Sequence, residues 1–150
     1  MNQDLFIPNN AFFTFTGCPQ GWSLLGSRCF IFNYEEKEWA IAEKSCTALG
    51  GNLASIQTQV EYLFIRQLVK TATGKNKLSW VGGNDAVKEG VWLWSDGSNF
   101  KFSGWAKGEP NGQEKEKCME INFRESDYVN DSVCSGKKSF VCSADSSPLE

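Results

Sequence analysis

The sequence lacks histidine altogether, and its six cysteines include no Cys-x-x-Cys pair. Both absences argue against a zinc finger, because structural zinc sites use cysteine and histidine ligands at such short spacings. Apolar runs stay well below the ~20 residues that a membrane-spanning helix needs. The net charge is −3, with no basic stripe along the chain. Neither membrane insertion nor nucleic-acid binding is therefore expected.

The cysteines point instead to disulfide bonds. An even number of them in a chain of 150 residues favours three disulfides and an oxidising compartment. We therefore expect a single-domain protein that is secreted and extracellular. The cysteines can pair in many ways, and their spacing alone does not choose among them. They are Cys18, Cys29, Cys46, Cys118, Cys134 and Cys142.

Two helices are predicted in the first half of the chain. The first runs from Glu35 to Leu49, where apolar residues recur at helical spacing, and Gly50-Gly51 ends it. The second runs from Thr58 to about Thr73 and is closed by Gly74. Thr58 and Glu61 have the spacing of a capping box. The apolar stripe expected to face the core consists of Val60, Phe64 and Leu68, with Leu63 beside it.

Strand-like runs dominate the second half and are interrupted by one long polar stretch, from about Ser95 to Glu116. Long loops are uncommon in compact domains and usually carry function. Helices followed by strands predict an α+β fold. We place an N-terminal extension at 1–17, the domain at 18–143 and a C-terminal tail at 144–150. The strand-like runs are Trp80–Gly83, Val91–Trp94, Lys117–Phe123 and Ser139–Cys142.

A set of oxygen-bearing side chains lies in and after the long loop. It offers three carboxylates and two amide oxygens, which are the hard donors that calcium prefers; magnesium demands a stricter octahedral geometry. Pro110 adds a mechanical possibility, because an X-Pro bond adopts the cis form at modest cost. We hypothesise that a cis bond here turns the side chains on either side of Pro110 toward one point. The set is Glu109, Asn111, Glu116, Asn130 and Asp131.

Each of these residues also has a simpler explanation. Surface loops are rich in Glu and Asn, and Asn-Asp before Ser is a common turn. Glu109 and Glu116 are also the type of carboxylate pair that a glycosidase uses. That interpretation has no further support in the sequence, since a calcium ion would hold both carboxylates ionised and leave no general acid. We therefore expect no enzymatic activity.

The order of landmarks resembles that of the C-type lectin family over about Cys18 to Cys142. Trp80-Val81-Gly82-Gly83 is a close variant of the family's Trp-Ile-Gly-Leu strand. As an ordered set the landmarks are highly specific to the family. They comprise Cys18–Trp22, Cys29-Phe30, Trp39, Cys46, Gly51–Ala54, Trp105, Glu109–Asn111, Glu116, Cys118, Val129–Asp131, Cys134 and Phe140–Cys142.

The resemblance implies a double-loop fold of two helices and two small antiparallel sheets, with disulfides Cys18–Cys29, Cys46–Cys142 and Cys118–Cys134. It implies that all five side chains of the family's sugar-binding calcium site are kept, as Glu109, Asn111, Glu116, Asn130 and Asp131. Two sugar hydroxyls complete the coordination of the ion in that site. The Glu-Pro-Asn order is the family's mannose-type arrangement, whereas galactose-type members carry Gln-Pro-Asp.

Some positions depart from the family pattern. The loop between Asn111 and Glu116 is shorter than in well-known mannose binders, and Val129 replaces the family's Trp. These changes bear on contacts around the ion more than on the ion site. Three lysines near the site are either ordinary solvated residues or a preference for acidic and extended glycans. They are Lys107, Lys115 and Lys117.

A second, structural calcium site of the family is incomplete here. Asp85 and Glu89 fit it, but Gly112 and Lys117 stand where acidic ligands are expected, so we predict a single ion. Asn130-Asp131-Ser132 also forms a sequon for N-glycosylation. We interpret the sequon as incidental, because a glycan there would block the amide oxygen from the metal.

The resulting prediction is a calcium-dependent lectin for mannose-type glycans on cell or microbial surfaces, with a role in innate defence. The alternative is a related domain that binds ice, as type II antifreeze proteins do, or a protein ligand. A shallow site binds monosaccharides weakly, so useful avidity needs several copies. We therefore expect a homo-oligomer, with residues 1–17 as the one candidate segment for assembly.

Overall fold

The computed structural model describes residues 17–112 and 115–147, and these form two helices and eight strands. The helices are α1 (Trp39–Ala48) and α2 (Gln59–Thr73), and a short 3-10 helix spans Phe123–Glu125. The strands are β1 (Ser23–Leu25), β2 (Arg28–Lys37), β3 (Asn52–Leu53), β4 (Ser79–Asn84), β5 (Leu93–Trp94), β6 (Glu116–Ile121), β7 (Asn130–Val133) and β8 (Lys138–Asp145).

The first helix starts later than the sequence predicts. Residues 35–37 belong to β2, because Lys37 still pairs with Lys138 of β8 across an irregularity in the register. Only Ala42 and Cys46 of α1 are fully buried, while Leu49 lies beyond its end and is half exposed. Sheet pairing therefore overrides the helical periodicity at the start of the segment.

The second helix has the predicted bounds, and its buried face overlaps the predicted stripe only in part. Thr58 caps it by accepting a hydrogen bond from the Glu61 amide at 3.1 Å, and Gly74 ends it in a left-handed conformation. The capping box is half formed, because the Glu61 carboxylate accepts from the Gln57 amide and from Arg28 instead. The fully buried apolar residues are Tyr62, Ile65 and Val69. Two members of the predicted stripe, Phe64 and Leu68, are partly buried against the core, whereas Val60 and Leu63 are mostly exposed.

The strands form one connected mixed sheet in the order β1-β2-β8-β4-β6-β7, with β3 beside β8 and β5 beside β4. The α+β prediction is confirmed. The two small antiparallel sheets that were predicted are joined, because β4 and β8 pair in parallel while the other pairs are antiparallel. Two buried clusters result, one containing Ile65 of α2 and the other containing Ala42 and Cys46 of α1.

All three disulfides have the pairing that the family resemblance implies. Cys18–Cys29 links the start of the domain to β2, Cys46–Cys142 links α1 to β8, and Cys118–Cys134 links β6 to the end of β7. No free cysteine remains among the six. The second bridge closes a loop of 96 residues and joins the two halves of the domain.

The long loop between β5 and β6 has no regular structure in its described part, residues 95–112 and 115, and an aromatic cluster anchors it. Phe100 stacks on Trp94 with ring centroids 4.5 Å apart, and Trp105 contacts Trp92 at 4.8 Å. The amide of Ala106 then donates to the Val129 carbonyl at 3.1 Å. These contacts hold the loop beside the entry to β7.

The described ends of the chain meet at the opposite edge of the sheet. Ser147 donates its amide to the Gly17 carbonyl at 2.7 Å, and Ser146 donates to Ser27. Residues 144 and 145, assigned to the tail by the sequence, continue β8. The predicted extension falls on residues 1–16, outside the described part of the chain, apart from Gly17. None of the described helices is long and apolar enough to cross a membrane.

Candidate functional site

The Glu109 carboxylate lies at the tip of the long loop and contacts several polar groups. Its peptide bond to Pro110 is cis, as the sequence hypothesis required. Its Oε2 accepts a hydrogen bond from the Tyr128 hydroxyl at 3.0 Å, and its Oε1 accepts from the Asn111 amide at 3.1 Å. Burial and the adjacent Asp131 carboxylate raise the pKa of Glu109, against the opposing effect of those hydrogen bonds.

Asp131 fixes the loop to the sheet. It lies on β7 with no exposed surface, and it accepts the backbone amides of Asn111 at 3.2 Å and Gly112 at 3.0 Å, one on each carboxylate oxygen. Gly112 adopts a φ of +67°, which a side chain would disfavour. The main chain is thus held with Glu109 and Asn111 next to Asp131.

Glu116 begins β6 and carries an unsatisfied charge. Its Oε1 is buried and has no hydrogen-bond partner in the described structure. A register shift in the β6–β7 pairing falls between Glu116 and Cys118, and such bulges re-aim side chains near functional sites. Burial, followed by the charges of Asp131 and Glu120, raises the pKa of Glu116. The site therefore has excess negative charge that a cation would neutralise.

Asn130 lies on β7 directly opposite Glu120 of β6. Its amide nitrogen donates to Glu120 Oε2 at 2.6 Å. The same nitrogen is the acceptor atom of the glycosylation sequon, and in the folded domain it is engaged with a buried carboxylate. Asn130 thus links the candidate site to a carboxylate buried in the core.

The structure brings the five predicted residues into one region at the β6–β7 edge of the sheet. Contacts join Glu109, Asn111 and Asp131, and the pKa of Glu116 responds to the Asp131 charge. Residues 17–112 and 115–147 contain no ready-made metal cluster of three or more Asp, Glu, His or Cys side chains. Since the three carboxylates are not gathered in such a cluster, side chains must move before all five proposed ligands can meet on one ion.

Calcium is the metal that the fold implies, and the residues present fit it. The donors are all oxygens, which match a hard cation. Glu116 Oε1 is an orphaned buried acceptor, and Glu109 and Asp131 crowd each other without a counter-charge between them. A cation held here would satisfy the first oxygen and relieve the repulsion in the second pair.

The residues of the incomplete second calcium site contact other protein groups, and one Asp85 oxygen lacks a partner in the described structure. Lys117 forms an ion pair with Glu89 at 3.0 Å, so this lysine is engaged with protein rather than directed to a glycan. Asp85 is fully buried and accepts the Gly90 amide at 2.9 Å through one oxygen, while the other has no partner in the described structure. Lys107 and Lys115 are exposed.

Comparison with known proteins assigns the chain to a family. The sequence model described as "Lectin C-type domain" matches residues 35–144, most of the described chain. The chain belongs to the C-type lectin family. Within that family it is a non-enzymatic lectin domain, so the glycosidase interpretation of Glu109 and Glu116 falls away.

Individual relatives differ in what they bind. The galactose-specific lectin nattectin of Thalassophryne nattereri is 48% identical over 128 residues, covering 85% of this chain and 80% of its own length. The herring type II antifreeze protein structure superposes with a TM-score of 0.80 at 32% identity, over 89% of this chain and 100% of that one. The cow CD23 carbohydrate-recognition domain, solved in the presence of a GlcNAc2Man3 oligosaccharide, gives 0.75 at 30% identity, over 87% and 98%.

Two residues at the site were not identified from the sequence. Tyr128 binds Glu109 through its hydroxyl, and Glu120 binds Asn130 from the core. A signal for Glu120 exists, since a charged residue between Met119 and Ile121 in an apolar strand is rarely buried without a partner. Tyr128 gives no such signal, because its contact depends on how the long loop folds back.

Proposed function

We propose that this domain binds carbohydrate through a calcium ion held by Glu109, Asn111, Glu116, Asn130 and Asp131. The observation that carries the proposal is the uncompensated charge at these residues, above all the buried and unpartnered Oε1 of Glu116. A bound calcium ion would supply positive charge and open coordination positions for two neighbouring sugar hydroxyls. Oxygen ligands that also touch those hydroxyls would then select the sugar.

The chain's own residues orient the sugar by hydrogen bonds. Ionised carboxylates only accept hydrogen bonds, so Glu109 and Glu116 accept them from sugar hydroxyls, whereas the amide of Asn111 can donate. Hydrogen bonds to charged groups are the stronger kind. Tyr128 and the Asn111 backbone restrict Glu109 to one position. Selectivity thus depends on which side of each hydroxyl faces a donor and which faces an acceptor.

The specificity we propose is mannose-type, because Glu109 precedes Pro110 and Asn111 follows it. In the family this order favours equatorial 3- and 4-hydroxyls. The cow CD23 domain solved with a mannose-containing oligosaccharide supports this interpretation, and the name of nattectin points toward galactose. Measuring which of the two sugars the domain prefers is therefore the decisive experiment.

The test is calorimetric titration with methyl mannoside and methyl galactoside, each in calcium and in EDTA. Mannoside binding that requires calcium, with little response to galactoside, is the expected result. Calcium-dependent galactoside binding would keep the ion site and overturn the mannose specificity. Sugar binding that persists in EDTA would move the ligand away from these five residues.

A matched variant sharpens the specificity test. The double substitution Glu109→Gln and Asn111→Asp converts the loop to the family's galactose-type order and exchanges one donor and one acceptor across Pro110. We expect its preference to shift from mannoside to galactoside while calcium is still required. A variant that keeps the wild-type preference would show that other residues select the sugar.

Ice binding is a second candidate, favoured by the structural likeness to the herring antifreeze protein. A thermal-hysteresis assay distinguishes it directly, because sugar binding alone produces no separation of freezing and melting points. We expect no hysteresis. A hysteresis gap that depends on calcium would assign the same region to ice instead of glycans.

We further propose that the protein is secreted and acts as a multimer on cell or microbial surfaces, in innate defence. The three disulfides support secretion, since such bonds persist in oxidising compartments. Weak single-site affinity favours assembly of several copies. Light scattering of the secreted protein tests the multimer, and a monomer at micromolar concentration would overturn it. The domain bounds 18–143 stay a prediction, although β8 continues to Asp145.

A further inference from the structure

A buried ion pair contacts Asn130, one of the five proposed ligands. Glu120 is 1% exposed, in the middle of β6, and its Oε1 lies 3.4 Å from the Lys138 ammonium. This contact is electrostatic and not an aligned hydrogen bond, since Oε1 has no hydrogen-bond partner in the described structure. The ammonium also sits 4.2 Å from the ring centroid of Trp80. A charge this deep is retained only with compensation from its surroundings.

The other oxygen of Glu120 determines how the Asn130 amide is oriented. An ionised carboxylate can only accept hydrogen bonds, so the contact at 2.6 Å must come from the Asn130 NH2 group. The amide oxygen therefore occupies the other arm of the planar group. An amide with no such partner can rotate by half a turn and exchange the two atoms at little cost.

We propose that Glu120 is a positioning residue for the ion site, which holds the Asn130 amide with its oxygen available to the ion. This inference rests on the proposed calcium site. Glu120 also adds negative charge close to Glu116. Residues that orient metal ligands from behind typically contribute ~10- to 100-fold to metal affinity.

Two single variants separate positioning from mere structural support. In Glu120→Gln the side chain can donate as well as accept, so the Asn130 amide is no longer held in one orientation. We expect calcium affinity, measured by calorimetry on folded protein, to fall ~10- to 100-fold. In Lys138→Arg the Glu120 carboxylate keeps a cationic partner and its bond to Asn130, so affinity should stay within about threefold of wild type. Equal losses in both variants would indicate structural damage and overturn the proposal.

Rescue by a second substitution adds an independent criterion. Asn130→Asp alone places two carboxylates against each other and should weaken calcium binding. When it is combined with Glu120→Gln, the Gln amide donates to the new carboxylate, which leaves one carboxylate oxygen for the ion and the total charge unchanged. We expect the double variant to bind calcium at least about tenfold more tightly than Glu120→Gln alone. Additive losses would contradict the orienting role.

A measurement without calcium separates this inference from the proposed function. In EDTA, the side-chain NH2 signals of Asn130 in a proton–nitrogen NMR spectrum should be shifted and slow to exchange, and Glu120→Gln should abolish both features. If wild-type protein binds no calcium but these signals behave as expected, the calcium proposal fails while the contact stands. If the signals match those of an exposed asparagine, the positioning role is wrong.

Discussion

Replacing Glu116 by Gln should have opposite effects on stability with and without calcium. Burial, then the charges of Asp131 and Glu120, raises the pKa of this carboxyl, and its Oε1 has no partner in the described structure. An unsatisfied buried charged group costs ~1–3 kcal/mol. Since one oxygen of Glu116 is buried without a partner, the neutral variant should gain about 1 kcal/mol in EDTA. In a domain of this size that gain raises the Tm by roughly 2–4 °C.

Calcium should reverse this order of stability. At an ion concentration one hundred times Kd, wild-type protein gains ~2.7 kcal/mol from binding. That corresponds to a rise in Tm of roughly 5–10 °C. Glu116→Gln removes one of the three proposed ligand carboxylates and should lose most of the gain, which leaves the variant less stable than wild type in calcium.

Differential scanning calorimetry in EDTA and across a calcium series measures both effects. Glu125→Gln is a suitable control, because Glu125 makes an exposed ion pair with Lys75 and lies outside the ligand set. The control should follow wild type in both buffers. If Glu116→Gln is less stable in EDTA by more than about 1 kcal/mol, the carboxylate has a structural partner and our interpretation of its charge is wrong. Equal stabilisation of variant and wild type by calcium would remove Glu116 from the ligand set.

Three further predictions concern the framework of the fold. Replacing Cys46 and Cys142 by Ala opens a loop of 96 residues and should cost roughly 4–5 kcal/mol in urea unfolding, with a loss under 1 kcal/mol as the contrary result. Burial opposes ionisation of Asp96, but hydrogen bonds from two serines and a nearby arginine lower its pKa below the ordinary 3.8. The stabilising effect of the Asp96 carboxylate should be complete above pH 3.8 and vanish as the pH falls through its lowered pKa. Asp96→Asn should therefore flatten the acid side of a plot of Tm against pH. An unchanged acid side would refute the stabilising role of Asp96. A Cβ at Gly82 would lie 2.6 Å from the Leu53 carbonyl, so Gly82→Ala should cost ~1–3 kcal/mol; a change within experimental error would show that the strands can separate.

The local sequence pattern predicted where the helices lie better than it predicted which of their faces are buried. The bounds of α2 followed from Thr58 and Gly74, because both caps act on the adjacent backbone. Its buried face followed only in part, since several apolar residues surround the helix and only the sheet decides which of them are covered. The predicted start of α1 was wrong for a related reason. Residues 35–37 belong to β2, which pairs with the distant strand β8.

The candidate site shows the same division between local and distant information. The five proposed ligands could be selected because they lie in short motifs between cysteines whose order matches the family. The sequence indicates that Glu120 needs a partner, but not that the partner is Asn130. That pairing depends on the register of β6 against β7, and a shift of one residue would turn Glu120 away. Sequence motifs therefore select candidate ligands more readily than the residues behind them, whose contacts depend on strand register.

The order of the strands has a mechanical consequence for a lectin that is tethered. Gly17 and Ser147 meet beside β2 and β8, while the ligand set lies at β6 and β7, four strand spacings or about 20 Å across the sheet. A linker that joins the domain at Gly17 or Ser147 would leave the proposed glycan site on the far side of the sheet from its anchor. When a bound cell pulls on such a molecule, the load must pass through the sheet from one edge to the other, and the bridges Cys118–Cys134 and Cys46–Cys142 reinforce the strands on that path. Adhesion under flow would then be limited by release of the sugar before unfolding of the domain.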